Sequence, residues 1–259
     1  MPILTLLTDF ALQDTFVGQV KGAILSIAPA TVLADLTHAV PRQDIRSGAF
    51  LLWSAVEAFP AGTVHLAVVD PGVGSSRRAV AVRSTRGDLF VGPDNGLLVP
   101  ALERVGGQAE AVELTDSTRW RTPTSSTFHA RDIFGPVAAH LALGVPLASV
   151  GTAVEDLRRP IQFPAPQPSG EGGVSGEVLY VDIYGNLVTN IPGASLPKRF
   201  TVRCAGEVIA PHPHYQAVRP GALLAVVGGD GLLEICARDA DAAESLGAHV
   251  GDAVIVEPA

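Results

Sequence analysis

The sequence predicts an α/β protein: an N-terminal, mostly parallel sheet flanked by helices, followed by a smaller C-terminal β-barrel domain. Three observations predict this division. Residues 1–158 alternate short apolar runs, rich in β-branched side chains, with segments of helical spacing. Residues 159–173 are rich in proline, glycine and serine and lack apolar periodicity, as a linker does. Residues 174–259 hold short, regularly spaced strands and hardly any helix.

In the N-terminal domain, predicted strands and helices alternate, which is the pattern of a parallel sheet covered on both faces. Residues 15–28 have helical spacing, with Val20, Ile24 and Ile27 recurring on one face. The strand that ends at Asp70 is apolar apart from His65. The predicted strands are 3–9, 31–37, 63–70, 79–84 and 89–96, and the predicted helices are 15–28, 44–59 and 131–143.

In the C-terminal domain, glycine and proline punctuate a series of short apolar strands, as in a small barrel or sandwich. One helical segment is predicted there, over 241–246. The predicted strand regions are 176–191, 199–210, 222–229, 231–237 and 253–259.

Composition and charge exclude several classes of protein. The chain has 259 residues, of which 47% are hydrophobic and 17% charged, so a sizeable core is available. Its net charge of −8 argues against a nucleic-acid-binding surface, which needs clustered Lys and Arg. The longest apolar run, 50–59, contains Glu57, whereas a spanning helix needs about 20 apolar residues. The chain begins MPILTLLTDF, without a basic leader, so we expect a cytoplasmic protein with no membrane segment.

The cysteine and histidine pattern does not indicate a metal site. Cys204 and Cys236 stand far apart, without a CxxC pair or a Cys/His cluster. In a chain without a leader, free buried thiols are the expectation. His212 and His214 could mimic a ligand pair, but no carboxylate or cysteine accompanies them, and a solvated loop is the simpler interpretation.

Polar residues that follow buried strands are the candidates for chemistry, because ligands of α/β sheets bind past the carboxyl ends of strands. Asp9 could hold ribose hydroxyls or simply cap a turn. Asp70 opens the loop DPGVGSSRR, whose glycines allow main chain to approach a ligand closely, although a tight turn explains them equally. The loop lacks the lysine of a P-loop and the third glycine of a dinucleotide fingerprint.

Two further residues have both a structural and a functional interpretation. His129 precedes a predicted helix beside Arg131 and Asp132, and alone it is more often a packed residue than a catalyst. Tyr184 stands before Gly185 and Asn186 on a predicted bend. It could stack on a purine, or it could pack on the barrel.

Five motifs in this order resemble a known family. LLTDF, VVDPGVGSSRR, VGPDNGLL, TFHARDIFGPVAAHLA and VDIYGNLVTNIP are similar to motifs of the S-adenosylmethionine hydroxide adenosyltransferases, relatives of the adenosyl-fluorinase and -chlorinase. The resemblance implies an α/β domain linked to a β-barrel domain. It also implies hydrolysis of S-adenosylmethionine to adenosine and L-methionine, by water or hydroxide attack at the ribose C5′, with no cofactor and no metal.

The resemblance also implies the catalytic set. Asp70, Arg77 and His129 match the family's Asp-Arg-His residues that activate the water, with Arg78 as the immediate competitor for the place of Arg77. Asp70 would either accept the water's proton or orient His129. Ala130 stands where the fluorinase has a serine that helps to bind fluoride.

Substrate-binding residues follow from the same resemblance. Asp9 would bind the ribose, Thr127 the methionine side, Asp182 the methionine ammonium, Tyr184 the face of the base and Asn186 the adenine edge. The family's Asn-Ser before GxLEIA is replaced by 228–230, Gly-Gly-Asp, so what binds the methionine carboxylate stays open.

Relatives of this family assemble as trimers with active sites between subunits, so the resemblance implies a homotrimer. Two alternative functions remain open from the sequence. One is a chlorinase-like transferase that forms adenosyl halides. The other is a non-catalytic sensor of adenosine or S-adenosylmethionine.

Overall fold

The computed structural model describes residues 1–170 and 172–259. Two compact units make up the chain, Met1–Gln162 and Phe163–Ala259. The boundary between them falls inside the stretch 159–173. Within that stretch Gln167–Ser169 forms a short strand, so not all of it is irregular.

The first unit is a seven-stranded sheet with helices. Its elements are β1 (Ile3–Thr8), α1 (Phe16–Ile27), β2 (Val32–Thr37), α2 (Ile45–Ala55), β3 (Val64–Val68), β4 (Ala79–Ser84), β5 (Leu89–Pro93), α3 (Val99–Arg104), β6 (Gln108–Glu113), α4 (Gly135–Ala142) and β7 (Thr152–Ala153). The α/β fold class predicted from the sequence is confirmed.

The strand order is β2-β1-β3-β5-β4-β6-β7. The pairs from β2 to β5 are parallel, while β4 runs antiparallel to β5 and β6, and β7 antiparallel to β6. All strands except β4 and β7 therefore point the same way, and their carboxyl ends meet at one edge of the sheet. Every residue of β3 is buried, as expected of a strand covered on both faces.

Each face of the sheet has its own cover. Val20 and Ile24 of α1 and Phe134 and Val137 join Leu66 of β3 in one buried apolar cluster. On the other face lies His65, whose Nδ1 is 2.8 Å from the Thr5 hydroxyl and whose ring stacks on Phe90 at 5.0 Å. Phe59, just past α2, packs edge-on against His65 at 6.1 Å.

The helix predicted over 131–143 begins differently from the expectation. Ala130–Phe134 is a turn of π-helix, and the α-helix starts only at Gly135. The Gly135 N–H bonds to the Ala130 carbonyl, and a Cβ at Gly135 would lie 2.9 Å from that oxygen. π turns are frequent at functional sites because the extra residue re-aims neighbouring side chains. Here the residue just before the turn is His129.

The second unit is an antiparallel sheet rolled into a nearly closed barrel. Its elements are β8 (Gln167–Ser169), β9 (Gly173–Val181), β10 (Leu187–Pro192), β11 (Phe200–Cys204), β12 (Glu207–Ile209), β13 (Leu223–Val227), β14 (Leu232–Ala237), α5 (Ala242–Leu246) and β15 (Ala253–Pro258). The strand order is β12-β11-β15-β9-β10-β14-β13, with β8 paired to β9. A bridge from Pro211 to Ala225 joins the end of β12 to β13, so the two edge strands meet.

Alternating side chains of these strands fill the barrel interior, with Val178, Leu187 and Val254 completely buried. Cys204 and Cys236 are buried and free, which confirms the prediction of unpaired thiols. Among the helices of the described residues, none combines the length and apolar character needed to span a membrane.

Candidate active site

The loop that follows β3 carries Asp70 and Arg77 and folds back on itself. The Val73 N–H bonds to the Asp70 carbonyl at 3.2 Å, and the Ser75 N–H bonds to the Gly72 carbonyl at 3.1 Å. Gly74 has a φ of +78°, and a Cβ there would lie 2.5 Å from the Ser126 carbonyl oxygen. Glycine at this position therefore lets the loop lie against the segment that leads to His129.

Arg77 joins Asp70 to His129. Its Nε donates to both carboxylate oxygens of Asp70 at 3.0 Å, and its Nη2 donates to Oδ2. The same Nη2 lies 2.9 Å from His129 Nδ1. The Arg77 and Asp70 side chains are only 8% and 6% exposed, so this pair is shielded from solvent screening. The three residues predicted to be catalytic therefore lie in one chain of contacts, with the arginine in the middle.

The contact with Arg77 determines the tautomer of His129. A guanidinium only donates hydrogen bonds, so Nδ1 of His129 must accept. The neutral imidazole then carries its proton on Nε2. Burial and, after it, the positive charge of Arg77 hold the pKa of His129 below its usual value. His129 is therefore a neutral side chain at pH 7 that donates from Nε2.

Arg78 is held elsewhere, although it is adjacent in sequence. Its Nε donates to Asp94 at 2.8 Å, and its Nη1 donates to Asp156 at 2.6 Å. Asp94 also accepts the Arg158 N–H at 2.8 Å. Arg78 thus ties the strand-end loop 94–96 to the segment at 156–158 and leaves the contact with Asp70 to Arg77.

A cleft of about 320 Å³ within the first unit is lined by Asp9, Asp70, Thr127 and His129. Asp9 follows β1, and its Oδ2 accepts the Gln43 N–H at 2.9 Å. Gln43 presents that N–H from a left-handed backbone conformation with a φ of +63°. Thr127 is exposed, and its N–H donates to the Ser125 hydroxyl at 3.2 Å. The structure therefore brings together every site residue predicted in the N-terminal domain.

Aromatic rings that the sequence analysis did not single out form one wall of this cleft. Phe10, Phe16 and Phe128 all line it, and their ring centroids lie 5.5 to 6.2 Å apart in edge-to-face pairs. Such pairs add specific attraction to ordinary burial. The motifs LLTDF and TFHARDIF contain Phe10 and Phe128, but distance in sequence hides their contact.

The residues predicted in the C-terminal domain lie on the turn between β9 and β10. Asp182 Oδ1 accepts the N–H groups of Tyr184 and Asn186 at 2.8 and 2.9 Å. Its Oδ2 accepts the Asn186 side-chain amide at 2.9 Å. Asp182 thus shapes the turn, and it leaves Asn186 one amide N–H and its carbonyl oxygen. Tyr184 is 75% exposed, so it does not pack into the barrel.

A second cleft, of about 510 Å³, lies within this unit beside the turn. Tyr184 and Asn186 line it together with Tyr215 and Gln216, and Asp182 is not part of the lining. Tyr215 and Gln216 were not predicted from the sequence, and they lie in a single 3₁₀ turn, Tyr215–Ala217, after β12. The only signal there was the aromatic residue next to His212 and His214.

Among the carboxyl groups near this turn, Glu234 of β14 has the most strongly shifted pKa. Burial first, and then the negative charges of Asp182 and Asp230, raise its pKa to about 7. Gly228 makes room for the Glu234 carboxylate, because any Cβ at that position would overlap it. The negative charges of Asp182 and Asp230 give this end of the unit a negative field, which favours cationic ligand groups.

No metal centre is evident in the parts of the chain that the structure describes, because no three His, Cys, Asp or Glu side chains converge there as ligands would.

Comparisons with known proteins identify the family of the chain. The family model for the SAM hydroxide adenosyltransferase N-terminal domain matches residues 4–151, and the model for the C-terminal domain of the same family matches residues 176–255.

The chain belongs to the SAM hydroxide adenosyltransferase family.

Two relatives named hydrolase are similar over nearly their whole length, and a fluorinase over about three quarters of it. The (R)-S-adenosyl-L-methionine hydrolase of Salinispora tropica is 42% identical over 255 residues, covering 97% of this chain and 96% of that protein. The protein of the same name from Thermus thermophilus is 38% identical over 254 residues, covering 95% of each. A fluorinase from Actinoplanes sp. is 32% identical over 222 residues, covering 76% of this chain and 74% of its own.

A solved structure shares the fold throughout. The crystal structure of an uncharacterized conserved protein from Thermotoga maritima superimposes with a TM-score of 0.90 at 35% identity, and the match covers 98% of this chain and 99% of that one.

The assignment of the His129 tautomer predicts its NMR behaviour. In histidine-selective ¹⁵N spectra, Nδ1 should be unprotonated and Nε2 protonated at pH 7, and protonation should occur only below the usual value of about 6.5. Because burial and then the charge of Arg77 lower the pKa, the neutral His129 contributes stability that is fully present above that value and is lost as the pH falls through the pKa of the folded state. The signal is assigned by its loss in His129→Gln. A protonated Nδ1 at pH 7 would contradict the assigned contact.

The raised pKa of Glu234 predicts a pH-dependent stability. Because the folded state favours the protonated carboxyl, its contribution is fully present below the unfolded value of 4.5 and is lost as the pH rises through about 7. Glu234→Gln stays neutral, so it should raise the melting temperature at pH 8 by about 2–4 °C and leave it unchanged at pH 4. Calorimetry of both proteins measures this, with the exposed Glu207→Gln as the matched control. Equal effects of Glu234→Gln at both pH values would disprove it.

Proposed function

We propose that this protein hydrolyses S-adenosyl-L-methionine to adenosine and L-methionine. The observation that carries the proposal is the contact chain of Asp70, Arg77 and His129 at a cleft that Asp9 also lines. It is supported by 42% identity, over nearly the full length, to a protein named (R)-S-adenosyl-L-methionine hydrolase.

The reaction needs help at the water and not at the leaving group. The water oxygen bonds to C5′ of the ribose, the C5′–S bond breaks, and its electron pair stays on sulfur. Methionine leaves uncharged, so no general acid is required, and the released proton comes from the water. The reaction balances with water alone, so the proposal includes no cofactor and no metal.

From these contacts we assign different roles to His129 and Asp70. With its proton on Nε2, His129 would donate to the water oxygen and hold its lone pair toward C5′. It would not act as the base in this tautomer. Asp70 would accept the proton: its Oδ1 takes one N–H from Arg77, while Oδ2 takes two, so Oδ1 keeps acceptor capacity. Arg77 would keep the carboxylate and the imidazole in place and favour hydroxide character at the nucleophile.

Substrate binding is proposed to draw on both units. Asp9 would accept hydrogen bonds from the vicinal ribose hydroxyls, and Thr127 would contact the methionine side. Tyr184 would stack on adenine, and Asn186 would use its remaining amide N–H and carbonyl oxygen on the adenine edge. Asp182 would receive the methionine ammonium in the negative field that it shares with Asp230. The same proposal includes a homotrimer with active sites between subunits, and a cytoplasmic location.

Hydrolysis is favoured over halide transfer by the charge of Asp70. A carboxylate facing the nucleophile repels an approaching halide but can take a proton from water. The relative named fluorinase is also less similar and covers less of the chain than the relatives named hydrolase.

The deciding experiment is incubation of the purified protein with S-adenosylmethionine in chloride buffer, followed by chromatography of the nucleosides. Adenosine and methionine in equal amounts are expected. Formation of 5′-chloro-5′-deoxyadenosine would establish a halide transferase instead. Tight binding without any product would establish a sensor.

Variants of the catalytic set should lose turnover but keep affinity. Asp70→Asn removes the proton acceptor, and His129→Ala removes the group that orients the water. Each should lower kcat about 10²–10⁴-fold, with little change in KM. Asp156→Asn and His249→Ala, which alter exposed residues of the same types, serve as matched controls. Full turnover in Asp70→Asn would show that the assigned role is wrong.

Variants of the C-terminal cleft should instead change affinity. Tyr184→Ala removes the stacking ring, which is worth about 1–3 kcal/mol for a stacked base, so KM should rise about 5- to 150-fold while kcat changes little. Tyr184→Phe keeps the ring and is the control, with a KM close to that of the unaltered protein. An unchanged KM in Tyr184→Ala would remove this residue from the adenine site.

A further inference from the structure

A third cleft lies within the first unit, between α1 and the segment that leads into α4. Its volume is about 680 Å³, against about 320 Å³ for the cleft of Asp70 and His129. Small residues of α1, Gly22 and Ala23, form one wall, and Arg119, Trp120 and Arg121 form the opposite wall. None of the proposed chemistry uses this cleft.

The lining is positively charged in a chain of net charge −8. It contains Arg119, Arg121, Arg131 and His140, and no Asp or Glu is found among the described residues that line it. Burial, and then the charge of Arg119, lower the pKa of His140, so the positive charge comes from the arginines. Clustered positive charge inside a low-dielectric cleft attracts anions.

The arginines of this lining contact neighbouring acceptor groups but retain N–H donors that make no hydrogen bond to any described residue. Arg131 donates to Asp132 from Nε and Nη2, at 2.7 and 2.9 Å, and from Nη1 to the side-chain oxygen of Gln19, which also lines the cleft, at 2.9 Å. Arg121 approaches Asp132 only at 4.0 Å, and its side chain is 55% exposed. Arg119 Nε forms an ion pair with Asp116 Oδ2 at 3.4 Å, although its geometry is not that of a hydrogen bond. Trp120 Nε1 is buried without a hydrogen-bond partner in the described parts of the chain. The side chains that line this cleft therefore offer more hydrogen-bond donors than acceptors.

We propose that this cleft binds a phosphate-bearing small molecule of nucleotide size. The planar forks of Arg119 and Arg121 suit the bidentate recognition of phosphate oxygens. The volume fits a whole small molecule, since such sites span about 300–1,000 Å³. The apolar surface of Trp120, Ile27 and Pro136 provides a place for the body of the ligand beyond its phosphates.

The geometry also couples this cleft to the candidate active site. The Arg131 guanidinium lies 4.7 Å from the centre of the Phe128 ring, which lines the cleft of Asp70 and His129. Its partner Asp132 accepts the Ser125 N–H at 2.8 Å and so anchors the segment that carries Thr127. A phosphate that attracts Arg131 competes with Asp132 and Phe128 for it. This coupling rests on the proposed hydrolase function, whereas the binding itself does not.

Fluorescence of Trp120 tests binding directly. The chain has two tryptophans, so Trp53→Phe leaves Trp120 as the only reporter. Titration with inorganic tripolyphosphate should change its emission saturably, with half-saturation below about 1 mM. ADP, excited at a wavelength where the base does not absorb, should bind more tightly because it also contacts the apolar wall. Equal affinity for both probes would overturn the nucleotide-sized ligand, and no saturable change with either would overturn the site.

Paired variants exclude a general charge effect. Arg119→Ala/Arg121→Ala, in the Trp53→Phe background, should weaken tripolyphosphate binding at least tenfold. Arg83→Ala/Arg203→Ala removes the same charge from pairs with Glu110 and Glu257 and should leave the affinity unchanged. Equal weakening in both would overturn the proposal. Arg119→Lys/Arg121→Lys keeps the two positive charges but loses the planar guanidinium groups. Its affinity for tripolyphosphate should lie between that of the Trp53→Phe protein and that of the double alanine variant. Retained binding in this variant also shows that substitution of the two arginines does not unfold the protein.

Turnover measures the coupling separately. Saturating tripolyphosphate should change the KM for S-adenosylmethionine at least twofold, and this effect should vanish in Arg119→Ala/Arg121→Ala. An unchanged KM with binding retained would overturn the coupling. If the protein does not hydrolyse S-adenosylmethionine at all, the proposed function fails while the fluorescence result still decides the binding site.

Discussion

The pairing of Arg77 with Asp70 and His129 is the interaction on which the candidate active site depends. A buried guanidinium needs a carboxylate, and the exposures of 8% and 6% show how little water remains to screen this pair. Three local features serve it: the end of β3 delivers Asp70, Gly74 lets the loop approach Ser126, and the π turn starts directly after His129. The chemistry of the imidazole follows, because the donor on its Nδ1 side determines where its own proton resides.

Charge is distributed unevenly over the two units. The contact chain of Asp70, Arg77 and neutral His129 has no net charge, which suits the proposed attack of water on a sulfonium cation. The C-terminal turn gathers Asp182, Asp230 and Glu234, close enough to raise one pKa to about 7. The cleft beside α1 is lined with arginines instead. The net charge of the whole chain, −8, therefore does not indicate the local charge at any of these three sites.

Much of the fold could be predicted, because runs of apolar and β-branched residues indicate buried strands. β1, β3 and β5, and the helix α1, follow their sequence patterns within a few residues. α3 and β6 escaped prediction. α3 is a short helix containing Pro100, and β6, QAEAVE, is rich in residues that disfavour strands. The π turn at 130–134 is equally invisible, because a single inserted residue hardly disturbs helical periodicity.

The chemical groups of this protein can be read from its sequence, because the ordered motifs identify the family and contain Asp9, Asp70, His129 and Asn186. Which of these groups lie in contact depends on the folded chain. It paired Arg77 and not Arg78 with Asp70, placed the arginine between Asp70 and His129, and bonded Asn186 to Asp182. The physical reason is distance along the chain. Arg77 and His129 are 52 residues apart, and whether two such side chains meet is decided by strand order and packing, which no local pattern encodes.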